Sequence, residues 1–144
     1  MENLLAGAEM LMRWDVMLAL FIGSIGGVVI GAIPGVGPAA AIAILLPATF
    51  SMDPIVGLTL LLGIYGSSMY GGAIPAILLR IPGTPASIAT TFDGFPMADR
   101  GEASKALKVA CWSSAIGGIA SAIALMTMGP LLARVTLFFG PAEY

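Results

Sequence analysis

Three long stretches of the chain carry no charged residue, and they predict where the chain crosses a membrane. The uncharged stretches are 16–52, 54–79 and 109–133. A spanning helix needs about 20 apolar residues to cross a hydrocarbon core of about 30 Å. The second and third stretches therefore each predict one spanning helix, over 55–79 and 109–133. The first stretch is too long for one straight helix and slightly short for two ordinary ones.

The middle of the first stretch accounts for its intermediate length. Residues 32–38 read AIPGVGP, and two prolines and two glycines so close together interrupt a helix. We expect one helix over 16–33 and a shorter helix over 39–50. The break has two interpretations: an ordinary turn outside the membrane, or unwound backbone inside it. The second requires protein or a watery cavity to satisfy the exposed peptide groups.

A second proline–glycine break follows the second span. Residues 81–86 read IPGTPA and repeat the IPGVGPA frame of residues 33–39 with one residue fewer. Interruptions in corresponding places are the best sequence pointer to the binding site of a transporter. The alternative is a chance match in a chain rich in Gly, Ala and Pro.

The one long polar stretch, 80–108, lies between the last two spans and is predicted to be a loop. It carries four of the six basic residues of the chain, so the positive-inside rule places it in the cytoplasm. The turn at 51–54 then faces outward. Within the polar stretch we expect Asp93 in a turn and the start of the last helix near Asp99.

Glycine recurs at every fourth position near the start of the chain, at Gly23, Gly27, Gly31 and Gly35. On a helix these positions form one stripe of small residues that lets another helix approach closely. The first interpretation of the stripe is tight helix packing, and the second is a sliding surface for a moving element.

Composition narrows the class of protein further. Of the 144 residues, 58% are hydrophobic and 10% are charged, whereas soluble domains carry about 25% charge. The chain therefore belongs in a lipid bilayer, and its net charge of −2 offers no basic surface for nucleic acid. It has no histidine to activate a serine such as Ser67, and no phosphate-binding or dinucleotide motif. We predict no enzyme, no catalytic residue and no metal site.

The two breaks are the candidate substrate site. A helix that restarts after a break has free N–H groups and a partial positive charge at its first turn, and glycine lets a ligand approach them. Such helix ends suit an anion, above all a carboxylate, and unwound carbonyl oxygens suit Na⁺. The predicted substrate-binding residues are Pro34, Gly35, Val36, Gly37, Pro38, Pro82, Gly83, Thr84 and Ser87. The predicted ion ligands are Ser67, Ser68 and Asp93, with helix capping as the alternative role of Asp93.

These features predict an all-α fold, a polytopic membrane helix bundle with discontinuous or re-entrant helices, over a single transmembrane region 1–144. Six motifs in series then resemble the large membrane subunit of the tripartite tricarboxylate transporters (TctA-type). In order they are AIPGVGP at 32–38, LPATF at 46–50, GIYGSSMYGGAI at 63–74, IPGTP at 81–85, FDGFPMA at 92–98 and FGPAEY at 139–144. The two Pro-Gly motifs of the family fall on Pro34–Pro38 and Pro82–Pro85.

The resemblance implies a bacterial inner-membrane permease that imports citrate-like tri- or dicarboxylates by symport, with Na⁺ or H⁺ as coupling ion and no other cofactor. It implies a small membrane subunit and a periplasmic solute-binding protein as partners. Members of the family have a second, inverted half, so the chain resembles the N-terminal part of such an inverted-repeat transporter, as a fragment or truncated product. A non-transporting membrane assembly subunit or remnant is the alternative.

Overall fold

The computed structural model describes the backbone of residues 2–136 and the side chains of residues 7–129, and the regular elements of this part are all helical. The helices are α1 (Glu2–Leu11), α2 (Trp14–Gly31), α3 (Gly37–Thr49), α4 (Pro54–Gly71), α5 (Ala73–Leu79), α6 (Thr90–Met97) and α7 (Ala103–Thr136). A 3₁₀ turn, Pro85–Ser87, follows α5, and a π-helical turn, Ala98–Glu102, follows α6. The predicted all-α fold with interrupted helices is confirmed.

Within residues 2–136, three helical segments are long and apolar enough to cross a membrane: Trp14–Gly31, Pro54–Leu79 and Thr90–Gly129. They include most of the spans predicted over 16–33, 55–79 and 109–133. Helix α3 is apolar but shorter, and it lies where the short helix over 39–50 was expected. The motif at 139–144 lies outside the described residues.

The second span is helical on both sides of a joint at Gly72. This residue has helical dihedral angles (φ −65°, ψ −21°), and its amide donates to the Ser68 carbonyl over 2.9 Å. Pro75 has no N–H to continue the ladder, and its ring crowds the carbonyl one turn earlier. Helices α4 and α5 therefore follow each other with an interruption of one residue.

Helices α2 and α4 pack together through glycine. Three buried glycines of α2 each face a residue of α4, in the pairs Gly23 with Leu60, Gly27 with Ile64, and Gly31 with Ser68. A Cβ atom added at Gly27 would lie 2.8 Å from the Ile64 Cα atom, so the two backbones meet where a side chain has no room. The structure thus favours tight packing for these three positions, whereas Gly35 lies beyond the end of α2.

The same pairs show that α2 and α4 run parallel, because their partners advance along the chain in the same direction. Arg13, just before α2, pairs with Asp53, just before α4, at an Nη2–Oδ2 distance of 3.4 Å. The starts of both helices therefore lie side by side. Helix α3 must bring the chain back from the end of α2, and its 13 residues cover about 20 Å. The stretch 16–52 thus forms one outgoing and one returning helix.

The stretch 80–108 was predicted to be a polar loop, and the structure corrects this because much of it is helical. Asp93 lies within α6 rather than in a turn. The physical reason is packing on α5: Gly94 lies against Ile77, and Ala106 of α7 joins Ile77 in the buried core. The last helix starts at Ala103, after the expected position near 99, because Gly101 has a left-handed φ of 84°.

The chain divides into two compact units, residues 1–111 and 112–144. The first unit contains α1 to α6, the start of α7 and both helix breaks. In the second unit, the described side chains of α7 from 112 to 128 are exposed. The candidate site lies entirely within the first unit.

Candidate functional site

The first break, residues 32–36, and the first residue of α3 after it depend on two glycines with left-handed backbones. Gly35 has φ 89° and Gly37 has φ 49°, a region that glycine enters without steric cost. No other part of the described chain lies within 4 Å of a Cβ atom placed at either residue. Glycine is therefore favoured here by the backbone conformation, and the space beside it stays open to a ligand.

The first turn of α3 follows this break and is a source of free amides. The first N–H groups of a helix have no carbonyl partner within the helix, and they carry a partial positive charge. Pro38 has no N–H, and the Ala40 amide makes the first hydrogen bond of the helix, to the carbonyl of the N-cap residue Val36. The free amides at this end therefore belong to Gly37 and Ala39. These residues form one local anion-attracting end of the backbone.

The second break begins where α5 ends. Arg80 has a left-handed φ of 59°, which terminates the helix after Leu79, and Pro82 prevents the helix from resuming at once. The Arg80 guanidinium lies over the Phe95 ring, 5.6 Å from its centroid. The positive charge of Arg80 is therefore held against an aromatic ring of α6.

Internal hydrogen bonds occupy the amides of the second break. The Gly83 amide donates to the Gly72 carbonyl over 3.1 Å, and the Thr84 amide donates to the Ser87 Oγ over 3.2 Å. The Ser87 amide donates in turn to the Thr84 carbonyl over 3.0 Å. The second break therefore differs from the expectation that both breaks present free N–H groups, because its polar groups hold its own turn together.

The two breaks line one cavity of about 820 Å³. Residues 35–40 of the first break and α3 form one wall. Tyr65 and Met69, which are one helical turn apart on α4, form another. Residues 82–86 and Ile88 of the second break complete the lining. Two breaks that are far apart in sequence thus meet in space.

Glycines allow the second break to approach α2 and α4 this closely. A Cβ atom at Gly83 would lie against the Gly31 carbonyl and 2.8 Å from the Gly72 Cα atom. A Cβ atom at Gly72 would lie 2.6 Å from the Thr84 Oγ1 atom. Any larger residue at these positions would force the second break away from α2 and α4.

The cavity is polar mainly through its backbone. Its lining residues are glycine, alanine, proline, aliphatic residues and Met69, together with two residues that carry hydroxyl groups, Tyr65 and Thr84. The positive potential in this lining comes from the start of α3. Such a site suits a ligand with a negative end and an uncharged body.

Thr84 and Ser87 have different environments although both are buried. The Ser87 hydroxyl donates to the Thr84 carbonyl over 2.7 Å, so its role in this structure is to close the turn. The Thr84 Oγ1 atom is enclosed and has no hydrogen-bond partner among the described residues. Thr84 is 2% exposed, and its hydroxyl lies against Gly72.

The structure brings together most of the residues predicted to bind substrate. Seven of them line the cavity: Gly35, Val36, Gly37, Pro38, Pro82, Gly83 and Thr84. Pro34 and Ser87 are outside the lining. Pro34 is exposed in the first break, and Ser87 is buried in the second.

The residues predicted to bind an ion do not form a cluster with the cavity. The Ser67 hydroxyl donates to the Gly63 carbonyl over 2.5 Å, and the Ser68 hydroxyl donates to the Tyr65 carbonyl over 2.9 Å. Both hydroxyls are thus used within α4. Asp93 is exposed on α6 and is not part of the cavity lining.

Sequence reasoning missed several lining residues, namely Ala39, Ala40, Tyr65, Met69, Ala86 and Ile88. The signal that could have found Tyr65 and Met69 is their spacing of four, which places both on one face of a helix. Ala39 and Ala40 could have been found as the first turn after the break. Tyr65 adds the one phenolic hydroxyl of the lining.

The cavity lies beside the second span rather than beyond its end. Gly31, next to the first break, faces Ser68, and the second break is bonded to Gly72. Helix α5 continues for seven residues after Gly72, which corresponds to about 10 Å. Both breaks therefore lie within the length of the 54–79 span, which favours unwound backbone inside the membrane over an external turn.

Helices of spanning length and two breaks that share a cavity define a multi-pass membrane protein with discontinuous helices. The chain belongs to the tripartite tricarboxylate transporter TctA family, whose sequence model matches residues 17–144. It is 40% identical over 143 residues to an uncharacterized 52.8 kDa protein in the TAR-I ttuC' 3' region of Agrobacterium vitis. The alignment covers 99% of this chain and 28% of that relative. No solved structure matches the chain.

Proposed function

We propose that this chain forms part of a permease that imports citrate-like tri- and dicarboxylates, driven by an ion gradient. The observation that carries the proposal is the meeting of two helix breaks at one cavity beside the second span. Secondary transporters commonly build their substrate sites from interrupted helices near the middle of the membrane. Membership of the TctA family supports the same function.

In this proposal a carboxylate binds at the start of α3. The amides of Gly37 and Ala39 donate to it, and Gly35 lets it come close to the backbone. The helix end contributes a charge of roughly half a unit, and Tyr65 offers a further hydroxyl. The body of the substrate packs against 82–84, while Pro34 and Ser87 shape the two breaks from outside the lining.

The size and the walls of the cavity agree with a small organic anion. Ligand sites usually occupy about 300–1,000 Å³ and combine apolar walls with a few polar groups that fix orientation. The cavity of about 820 Å³ lies within this range. Backbone recognition leaves room for carboxylates of different length and substitution.

The rest of the assembly is proposed from the family. A tripartite carrier combines this membrane component with a small membrane subunit and a periplasmic solute-binding protein, which delivers the carboxylate. Its proposed location is the inner membrane of a bacterium. The chain spans 28% of the length of the relative that it matches, so the complete carrier is expected to contribute further walls to the site.

A non-transporting assembly subunit or remnant is the alternative, and in it the glycine stripe serves only helix packing. In the structure, Gly23, Gly27 and Gly31 do pack against α4 of the same chain, so the stripe is compatible with both functions. The cavity shared by the two breaks is the observation that favours transport.

The test is uptake of a radiolabelled tricarboxylate by vesicles that contain the intact carrier and its binding protein. In the variant Gly37→Asn, the new side chain enters open space beside the cavity, and asparagine tolerates the left-handed backbone. We expect uptake at low substrate concentration to fall at least tenfold. The matched control is Gly66→Ala on α4, where a Cβ atom also meets nothing within 4 Å, and its uptake should not change.

Two results would contradict the proposal. Normal uptake by Gly37→Asn, at normal protein level in the membrane, would remove the substrate site from the start of α3. Failure of the unmodified carrier to take up any di- or tricarboxylate would support the assembly subunit instead.

A further inference from the structure

Beside the cavity lies a buried hydroxyl group without a partner. The Thr84 Oγ1 atom is enclosed, and the Ser87 amide that faces it in a capping-box arrangement donates to the Thr84 carbonyl instead over 3.0 Å, so the hydroxyl has no hydrogen-bond partner among the described residues. A Cβ atom placed at Gly72 would lie 2.6 Å from it, so the hydroxyl is held at the junction of α4 and α5. Burying a polar group without a partner is unfavourable, which indicates that a ligand completes its environment.

A second oxygen without a partner is held nearby. Gly31 is the last residue of α2, and in a continuing helix its carbonyl would accept the Gly35 amide. The break removes that bond, and no hydrogen bond in the described part of the chain ends on the Gly31 carbonyl. Gly83 packs directly against this oxygen and against Gly72. We call the group formed by Gly31, Gly72, Gly83 and Thr84 the glycine joint.

The chemistry of the glycine joint suits a cation. The C-terminal end of α2 carries a partial negative charge, and its last carbonyls lack partners within the helix. A hydroxyl and a carbonyl oxygen are hard ligands of the kind that hard cations prefer. In transporters, unwound carbonyls and the C-terminal ends of half-helices coordinate Na⁺. These features are present in the glycine joint, which reaches the cavity through Gly83 and Thr84.

We propose that the glycine joint binds a monovalent cation of the size of Na⁺, with the Thr84 Oγ1 and the Gly31 carbonyl oxygen as two of its ligands. The role of this cation in coupling rests on the proposed function. A carboxylate at the start of α3 and a cation at the end of α2 would be separated by the first break alone. Opposite charges at such short range attract strongly where water is excluded, so each ligand would tighten the binding of the other.

Thr84 connects the two sites because it lines the cavity and belongs to the glycine joint. This proposal places the ion at the glycine joint and not at Ser67, Ser68 and Asp93, the ion ligands predicted from the sequence. The hydroxyls of Ser67 and Ser68 already have carbonyl partners within α4. The Thr84 Oγ1 atom has no such hydrogen-bond partner among the described residues.

The experiment measures equilibrium binding of a labelled tricarboxylate to the purified intact carrier, in NaCl and in choline chloride of equal ionic strength. We expect the unmodified carrier to bind at least tenfold more tightly in NaCl. Thr84→Val keeps the shape of the side chain without its hydroxyl, and it should bind in NaCl as weakly as the unmodified carrier binds in choline chloride. Thr84→Ser keeps the hydroxyl and should retain the Na⁺ effect.

The matched control is Thr59→Val. Thr59 is also a buried threonine of the same unit, 8% exposed, but its hydroxyl donates to the Ile55 carbonyl over 2.7 Å. This variant should keep the full Na⁺ effect. A Na⁺ effect that survives in Thr84→Val would overturn the cation site.

Two measurements on the unmodified carrier keep the proposal falsifiable if Thr84→Val does not fold. If Na⁺ and K⁺ tighten carboxylate binding equally, the effect is a general effect of salt, and a site of Na⁺ size would be overturned. Carboxylate binding that does not respond to Na⁺ would reject the glycine joint and leave the proposed function intact. Thermal stabilisation by Na⁺, but not by K⁺, in a carrier that binds no carboxylate would keep the cation site and reject the proposed function.

Discussion

The Gly83 amide donates a hydrogen bond to the Gly72 carbonyl over 3.1 Å, and this bond fixes the second helix break against the junction of α4 and α5. The two backbones can meet because neither residue has a side chain. The same approach brings Gly83 against the Gly31 carbonyl at the end of α2. Three segments of the chain therefore meet through backbone atoms, and the cavity forms beside their meeting point.

Replacing Gly83 with alanine should destabilise the fold and lower uptake. The added Cβ atom would lie 2.8 Å from the Gly72 Cα atom and against the Gly31 carbonyl, so the second break must move. Overpacking of this kind costs about 1–3 kcal/mol. Unfolding by heat or SDS in detergent micelles measures the loss, and substrate uptake by the carrier measures the effect on the site. A Gly83→Ala variant with unchanged stability and uptake would show that this close contact does not exist.

The glycine seam between α2 and α4 offers a matched pair of neighbouring variants. Gly27→Ala places a methyl group 2.8 Å from the Ile64 Cα atom, whereas a Cβ atom at Gly26 meets nothing within 4 Å. We expect Gly27→Ala to lower the free energy of unfolding by about 1–3 kcal/mol. Gly26→Ala should raise it by up to about 1 kcal/mol, because alanine favours a helix over glycine. If both variants change stability equally, α2 and α4 do not meet along this stripe.

The helix breaks could be predicted from the sequence because proline and glycine act locally. Pro34 removes an N–H and Gly35 permits a left-handed backbone wherever the chain goes afterwards. The parallel packing of α2 and α4 could not be predicted in the same way. The spacing of the glycine stripe shows that a partner approaches, but it does not show which helix that partner is.

The candidate site was predictable in part for the same reason. The glycine and proline residues at 35–38 and 82–84 themselves interrupt the helix, so these positions can be identified from the sequence alone. The free oxygen of Thr84 depends instead on Ser87 bonding the Thr84 backbone and on the contact with Gly72. Contacts of this kind arise only when the chain folds, and they also determine that Asp93 lies in a helix on α5.

Asp53 should contribute to stability mainly by capping α4. Its carboxylate accepts the Ile55 amide over 2.9 Å, and it also pairs with the exposed Arg13. Asp53→Ala should cost about 1 kcal/mol in free energy of unfolding, a typical value for the loss of an N-cap. Asp53→Asn retains a capping oxygen and loses only an exposed charge pair, so it should cost much less. Equal losses in thermal or SDS unfolding would assign the effect to the charge pair instead.

The parallel arrangement of α2 and α4 predicts that both helices start on the same side of the membrane. Met12 precedes α2 and Ser51 precedes α4, and both side chains are exposed. In a Cys111→Ser background, Met12→Cys and Ser51→Cys should therefore react with an impermeant maleimide from the same side of the membrane. Ser104→Cys, which follows the 54–79 span, should react from the opposite side.

The positive-inside rule assigns the outer face to Met12 and Ser51 and the cytoplasm to Ser104, so labelling of right-side-out and inverted vesicles distinguishes the two orientations. Labelling of Met12→Cys and Ser51→Cys from opposite sides would be incompatible with the Arg13–Asp53 pair and with parallel helices. Helix α3 would then no longer return the chain to the side of the membrane on which α2 starts. The first break would have to lie elsewhere than beside the second span, and the shared cavity would be lost with it.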